Sequence, residues 1–253
     1  MTDLTTPIRT SKGAAARRPK ALAFDVFGTV VDWRSSIARE SATFLAKIDR
    51  SDIDPHDFAD QWRRRYLPAM AAVSGGQRGF VKLDILHREM LGAVLDAQGI
   101  DPAALDPALL ADWTNAWHRL DPWPDSVAGI ARLRTAFPVV TLSNGNVSLM
   151  VDMARRAGIV WDAILGAEYA RAYKPQPAAY LATADALGLA PYELCLVASH
   201  HSDLAAARGC GLMTAHIDRP MEYGGARAPD ADAAQDWAYS ADSLTDLAAQ
   251  MEC

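Results

Sequence analysis

A chain of 253 residues, half of them hydrophobic and 22% charged, has the composition of a soluble globular protein long enough to bury a full core. Its formal net charge of −6 offers no surface for nucleic acid or an anionic membrane, so an anionic small molecule would have to be drawn in by a local basic site. The three scattered cysteines, Cys195, Cys210 and Cys253, are too few for a disulfide framework or a zinc site and point to a reducing, cytoplasmic compartment.

The first residues, "MTDLTTPIRTSKGAAARRPK", are polar and basic and lack the apolar centre of a signal peptide, so residues 1–19 read as a disordered arm. No later run approaches the roughly 20 apolar residues of a membrane span. A strand is expected at 21–26. Helical periodicity follows over 35–49, 56–73, 80–98 and 107–119, interrupted by "DIDP", "SGGQ" and "GIDP". "DPWPD" at 121–125 ends that stretch, because two prolines break any helix. Helices at 126–136, 146–157, 176–187, 202–208 and 242–251 then alternate with strands at 138–143, 163–165, 194–199, 213–217 and 237–240. Such alternation predicts an α/β fold, a doubly wound, Rossmann-like parallel sheet built from 20–34 and 121–253, with 35–120 inserted as a helical cap subdomain.

Ligands of such sheets collect at the carboxyl ends of the strands. Asp25 ends the first apolar run and is followed by Val26, Phe27, Gly28 and Thr29; a carboxylate there is either a turn-former or a nucleophile or metal ligand. Ser143 and Asn144 in "TLSNGN" end another strand, either as ordinary turn residues or as donors to a carboxylate or phosphate. Lys174 in "AYKPQPAAY" would keep a nearby Asp25 ionised, and Tyr180 on the following helix can point back to the site or simply pack. "VASHHSDL" supplies Ser199, His200, His201 and Asp203, the last either an N-cap or a functional carboxylate.

"FDVFGTVVDW", "TLSNGN", "YKPQPAAY" and the "SHHSD" stretch, in this order, resemble the haloacid dehalogenase superfamily and, within it, the type II 2-haloacid dehalogenases. The resemblance covers nearly everything from residue 20 onward. Phosphatases of that superfamily use a D-x-D pair and Mg²⁺. Here Phe27 occupies the second position and cannot transfer a proton, which fits a metal-free, cofactor-free reaction at carbon, where a halide leaves without protonation. The resemblance implies that Asp25 attacks C2 of a short 2-haloacid, haloacetate or L-2-halopropionate, expelling halide with inversion, and that water then hydrolyses the aspartyl ester to a 2-hydroxy acid.

By the same resemblance Arg63 in "DQWRRRYL" takes up the halide, with Arg64 or Arg65 as alternatives if the register slips. Ser143 and Asn144 surround the substrate carboxylate with the N–H groups of Val26 and Phe27. Thr29, Lys174 and Tyr180 complete the site, and Asp203 positions or activates water. His200 stands where an amide is usual, to orient the water or to act as a base near neutral pH. The implied partner is the small haloacid alone; a homodimer is left open, as are a phosphatase of the same fold and a non-catalytic carboxylate-binding protein.

Overall fold

The structure, a computed structural model, describes residues 18–76 and 78–253; the arm expected over 1–17 lies outside the described residues. Arg18 donates to the Met251 carbonyl at 3.0 Å, and Lys20 N–H donates to the Glu193 carbonyl at 2.7 Å, so residues 18–20 already belong to the packed body.

Strand β1 (Ala21–Phe24) is short, uncharged and wholly buried, as a central strand covered on both faces must be. A two-residue strand, β2 (Val31–Asp32), leads into α1 (Trp33–Lys47), α2 (Pro55–Arg64), α3 (Tyr66–Ser74), α4 (Leu83–Ala97) and α5 (Pro107–Thr114). The chain returns through a 3₁₀ turn (Asn115–Arg119) into β3 (Asp121–Pro122), which pairs antiparallel with β2, so the two crossings into and out of the helical insertion run side by side. There follow α6 (Ser126–Leu133), β4 (Val139–Ser143), α7 (Val147–Ala157), β5 (Ala163–Gly166), the one-turn α8 (Ala167–Ala170), α9 (Pro177–Ala186), β6 (Leu194–Ala198), α10 (His201–Gly209), β7 (Met213–Ile217), β8 (Tyr239–Ala241) and α11 (Leu244–Gln250).

The six core strands form one parallel sheet in the order β5-β4-β1-β6-β7-β8. Side chains alternate across it with the period of two that a pleated strand imposes. Leu22, Phe24, Val139, Cys195 and Val197 join α6, α7 and α11 on one face. Ala21, Ala23, Val140, Leu142, Leu194 and Leu196 join α9 and α10 on the other. Strand order reverses at β1, so the crevice lies at the carboxyl ends of β1, β4 and β6.

The helix expected over 56–73 is two helices. Pro68 has no N–H to give the Arg64 carbonyl four residues back, and the chain turns at Arg65. The expected helix over 107–119 tightens to 3₁₀ after Thr114. The β2–β3 pair and α8 are too short to leave a period in the sequence. Within the insertion Trp113 stacks between Phe44 and Phe58, with ring centroids 5.2 and 5.1 Å away. The insertion rests on the strand ends: Asp84 N–H donates to Asn146 Oδ1 at 3.2 Å, Tyr173 Oη donates to the Val81 carbonyl at 2.7 Å, and Tyr66 meets Phe27 edge-on. Among the described residues no helix is long and apolar enough to cross a membrane.

Gly129 in α6 lies against Leu244, where an added Cβ would fall 2.5 Å from Leu244 Cβ and 2.6 Å from its carbonyl carbon. Gly129→Ala gains helix propensity of about 1 kcal/mol, but overpacking of this kind costs about 1–3 kcal/mol. A lowered urea midpoint is expected, and a raised one would mean that α6 and α11 separate freely.

Candidate functional site

Asp25 leaves β1 with its N–H donating to the Val197 carbonyl at 3.0 Å, which pins the end of β1 to β6. The chain then folds back on itself: Val30 and Val31 N–H both donate to the Val26 carbonyl, and Gly28 N–H donates to the Val31 carbonyl. Neither Val26 nor Phe27 N–H donates to another described residue. This loop carries Asp25 into the crevice, buried, with both carboxylate oxygens occupied. Lys174 Nζ donates to Oδ1 at 2.8 Å, Thr29 Oγ1 donates to Oδ2 at 2.8 Å, and His200 Nδ1 lies 3.3 Å from Oδ2. Burial alone would favour the neutral acid, but the charges of Lys174 and His200 outweigh it and hold the Asp25 carboxyl well below its ordinary range.

Lys174 also donates to Asp203 Oδ2 at 2.5 Å, and Tyr180 Oη donates to Asp203 Oδ1 at 2.6 Å. Burial works against the ammonium, yet Asp203 and Asp25 together raise its pKa. The Tyr180 hydroxyl is pushed up by burial and by the Asp203 charge it faces, so it remains a donor. Asn144 Oδ1 accepts from Lys174 N–H at 2.8 Å, while its Nδ2 faces Met70 Sδ at 3.3 Å. Asn144 therefore positions the lysine's backbone. Ser143 Oγ accepts from Gly145 N–H at 3.1 Å and holds the turn after β4. Thr29 Oγ1 accepts from Ser199 N–H at 2.8 Å, so one hydroxyl ties the loops after β1 and β6 together.

Of the three consecutive arginines, Arg64 faces Asp57 at an exposed position, and Arg65 donates to the Gln61 and Ala93 carbonyls. Arg63 turns inward, its guanidinium 4.2 Å from the Tyr66 ring centroid and 5.3 Å from that of Trp33, with Nη1 buried and without a hydrogen-bond partner among the described residues. The same aromatic cluster contains Phe27, Trp117 and His87. His87 stacks on Trp117 at 4.4 Å, and Phe27 meets both edge-on. Among the described residues Trp117 Nε1 and both ring nitrogens of His87 are likewise buried without hydrogen-bond partners, and burial pushes the His87 pKa down to about 3. These four buried polar atoms beside Phe27 lack hydrogen-bond partners among the described residues.

Sequence reasoning missed Glu222. It lies on the connection between β7 and β8, where nothing in "PMEYGG" distinguishes it from a turn. Arg219 anchors that connection through Asp125, at 2.7 and 3.0 Å, and through the Thr29 carbonyl at 2.9 Å. Glu222, fully buried, accepts on Oε1 from Trp33 Nε1 at 2.9 Å and lies 2.9 Å from His200 Nε2. Gly28 makes room for it: at φ +85° a side chain is strained, and a Cβ would fall 2.1 Å from Glu222 Oε1.

A divalent metal does not fit these residues. Phe27 takes the position of a second carboxylate, both Asp203 oxygens are bound to Lys174 and Tyr180, and among the described residues no three His, Cys, Asp or Glu side chains are grouped to hold a metal ion.

A carboxylate at the end of the central strand of this parallel sheet, backed by a lysine and roofed by an inserted helical segment, defines a class, and the chain belongs to it: it is a haloacid dehalogenase-like hydrolase, the family model matching residues 19–211. Among solved structures it is similar to a defluorinating L-2-haloacid dehalogenase, at 49% identity with a TM-score of 0.90, covering 94% of this chain and 96% of that one. The L-2-haloacid dehalogenase of Xanthobacter autotrophicus with chloropropionic acid covalently bound matches at 25% identity and a TM-score of 0.76, covering 92% of this chain and 98% of that one. A curated relative, the (S)-2-haloacid dehalogenase of the same organism, is 29% identical over 204 residues, 79% of this chain and 75% of its own.

Replacing Lys174 by Met removes the charge that opposes burial of Asp25. The Asp25 carboxyl should then titrate about 1–3 units higher, followed by ¹³C NMR of labelled aspartate. An unmoved titration would mean that His200 alone keeps it ionised.

Proposed function

We propose that the chain hydrolyses short 2-haloalkanoic acids to 2-hydroxy acids through an aspartyl ester on Asp25, without a metal or other cofactor. The observation that carries this reading is the pairing of a buried, ionised Asp25 with Phe27, where a phosphatase needs a second acid. An alkoxide leaving group must be protonated, but halide departs as a stable anion, and a ring at position 27 keeps the nucleophile dry.

In the first step an Asp25 oxygen attacks C2, the C–X bond breaks, and the halide leaves with its electron pair. Lys174 holds the carboxylate in place, at 2.8 Å. The free N–H groups of Val26 and Phe27, with Ser143 and Asn144 at the adjoining turn, suit the substrate carboxylate. Arg63 Nη1 suits the halide, in a cluster where His87 and Trp117 offer further unpartnered nitrogens. Water then attacks the ester carbonyl and passes one proton to Asp203. The bond from the Asp25 carbonyl carbon to the substrate oxygen breaks, and that oxygen takes the second proton of the added water and leaves as the 2-hydroxy acid, with Asp25 regenerated. Asp203 releases its proton, so overall water is consumed and halide and a proton are released. Tyr180 and Lys174 orient Asp203 for this step. In-line attack inverts C2, so an L-substrate gives a D-hydroxy acid.

Fluoride falls within the proposed range. It is the smallest halide and the strongest acceptor, and it suits a dry pocket of unpartnered N–H groups; the 49% identical relative is described as defluorinating. Three unpaired cysteines agree with work in the reducing cytoplasm.

The test is halide release from chloroacetate, L- and D-2-chloropropionate and fluoroacetate in EDTA. Wild type should release halide from the L-acid and both acetates, and Asp25→Asn from none. A single turnover in H₂¹⁸O should place ¹⁸O in the Asp25 carboxyl. Label appearing in the product instead would mean direct attack of water on C2. Arg63→Met should lower kcat at least about tenfold with the fold intact, since it removes a charged donor from a dry site. Turnover of phosphate esters that depends on Mg²⁺, with no halide release, would restore the phosphatase reading.

A further inference from the structure

We propose that Glu222 is a positioning residue that fixes the His200 ring as a donor to Asp25 Oδ2, so that in the aspartyl ester His200 and Thr29 together hold the ester carbonyl oxygen while water attacks. The inference rests on the dehalogenase reading and assigns to a histidine the donor role that a side-chain amide would otherwise fill.

The geometry leads there in three steps. His200 has one ring nitrogen 3.3 Å from Asp25 Oδ2 and the other 2.9 Å from Glu222 Oε1. A neutral imidazole would aim a lone pair at one of those carboxylates, so both nitrogens carry hydrogen and neither is free to take a proton from water. The expectation of His200 as a base near neutral pH therefore does not fit its partners.

Next, the two oxygens of Asp25 are unequal. Oδ2 accepts from Thr29 Oγ1 and has His200 Nδ1 3.3 Å away, whereas among the described residues Oδ1 receives Lys174 alone. The less encumbered Oδ1 is the better nucleophile. If it attacks C2, Oδ2 becomes the ester carbonyl oxygen, already facing two donors. Water adding to the carbonyl carbon drives negative charge onto Oδ2, and the preset donors meet it without rearrangement.

Finally, once the ester forms, Asp25 no longer carries charge, and a histidine held by Asp25 alone would lose its proton. Glu222 remains. It is buried, is fixed by Trp33 Nε1 at 2.9 Å, reaches the site only because residue 28 is glycine, and places a permanent negative charge behind the ring. Burial opposes the imidazolium, but Glu222 and Asp25 raise the His200 pKa well above its ordinary value. The other charges around the ring are Lys174 beyond Asp25, Asp230, which senses His200, His201 next in the chain, and Arg63, which senses Glu222. Lys174 and Arg63 are positive and would drive the proton off, which makes Glu222 the indispensable counter-charge in the ester state.

The experiment follows the halide burst and the ester separately in quenched-flow with L-2-chloropropionate between pH 6 and 9, the ester read as added mass on the Asp25 peptide. Wild type should hydrolyse its ester at a rate independent of pH across that range. Glu222→Gln should keep the halide burst but hydrolyse the ester about tenfold or more slowly at pH 9 than at pH 6, so that ester accumulates as pH rises. In a His200→Asn background, whose amide donates without a charge, Glu222→Gln should add little further loss.

The proposal is overturned if wild-type ester hydrolysis itself rises with pH through the ordinary histidine range, a measurement that needs no variant. It is overturned equally if Glu222→Gln matches wild type in ester level and pH profile, or if its loss lies in the burst. Absence of any burst from wild type would be a different failure, that of the dehalogenase reading itself.

Discussion

Everything at the crevice depends on one buried cation shared between two buried carboxylates. Lys174 lies 2.8 Å from Asp25 and 2.5 Å from Asp203, each fixed in turn by a hydroxyl, from Thr29 and Tyr180. Two carboxylates so placed without the ammonium would repel, and one would take up a proton. With it, Asp25 stays charged in a medium that otherwise disfavours charge, at the cost of keeping every partner in place. The arrangement extends outward as alternating signs: Asp25, Lys174 and Asp203 on one side, His200 and Glu222 on the other, with Arg63 beyond. Three carboxyl groups thus meet three basic groups around the crevice.

Much of the surrounding chain also holds backbone in place around these groups. Asn144 grips the Lys174 peptide, Ser143 holds its own turn, and Arg219 draws the β7–β8 connection under Thr29. The sheet supplies the rigid base. Parallel strands end at one edge, and the reversal of order at β1 opens the gap into which Asp25, Lys174 and Asp203 project from three different connections.

Much of this was legible in the chain. Short buried β-runs alternating with helices specify a parallel sheet, and residues just past each run are bound to meet at one edge. Asp25, Ser143, Asn144, Lys174, His200 and Asp203 were found that way, Thr29 and Tyr180 from the motifs that follow Asp25 and Lys174, with the resemblance supplying roles. Glu222 was not, although it comes shortly after the end of β7, because its neighbours Pro220, Gly224 and Gly225 describe only a turn. Its importance arises from Gly28, far away in sequence, leaving a space of the right size. His87 and Trp117 were hidden for a different reason: on helices with apolar faces they read as ordinary packing, and only the absence of partners for their nitrogens sets them apart. The broken helix at Arg65 was visible in Pro68, but periodicity on both sides masked it.

The position of β1 bears on the order in which the molecule can be built. Its residues pair with Val139–Thr141 on one side and Leu194–Val197 on the other, both far downstream. During synthesis the first strand therefore waits beside the ribosome with both edges bare while the whole insertion emerges. Tyr66, His87 and Trp117, the aromatic neighbours of Phe27, all leave the ribosome before either strand that pairs with β1. In chain order the roof is thus complete before the floor, and the crevice around Asp25 has all its walls only once β6 and the Asp203-bearing α10 have emerged.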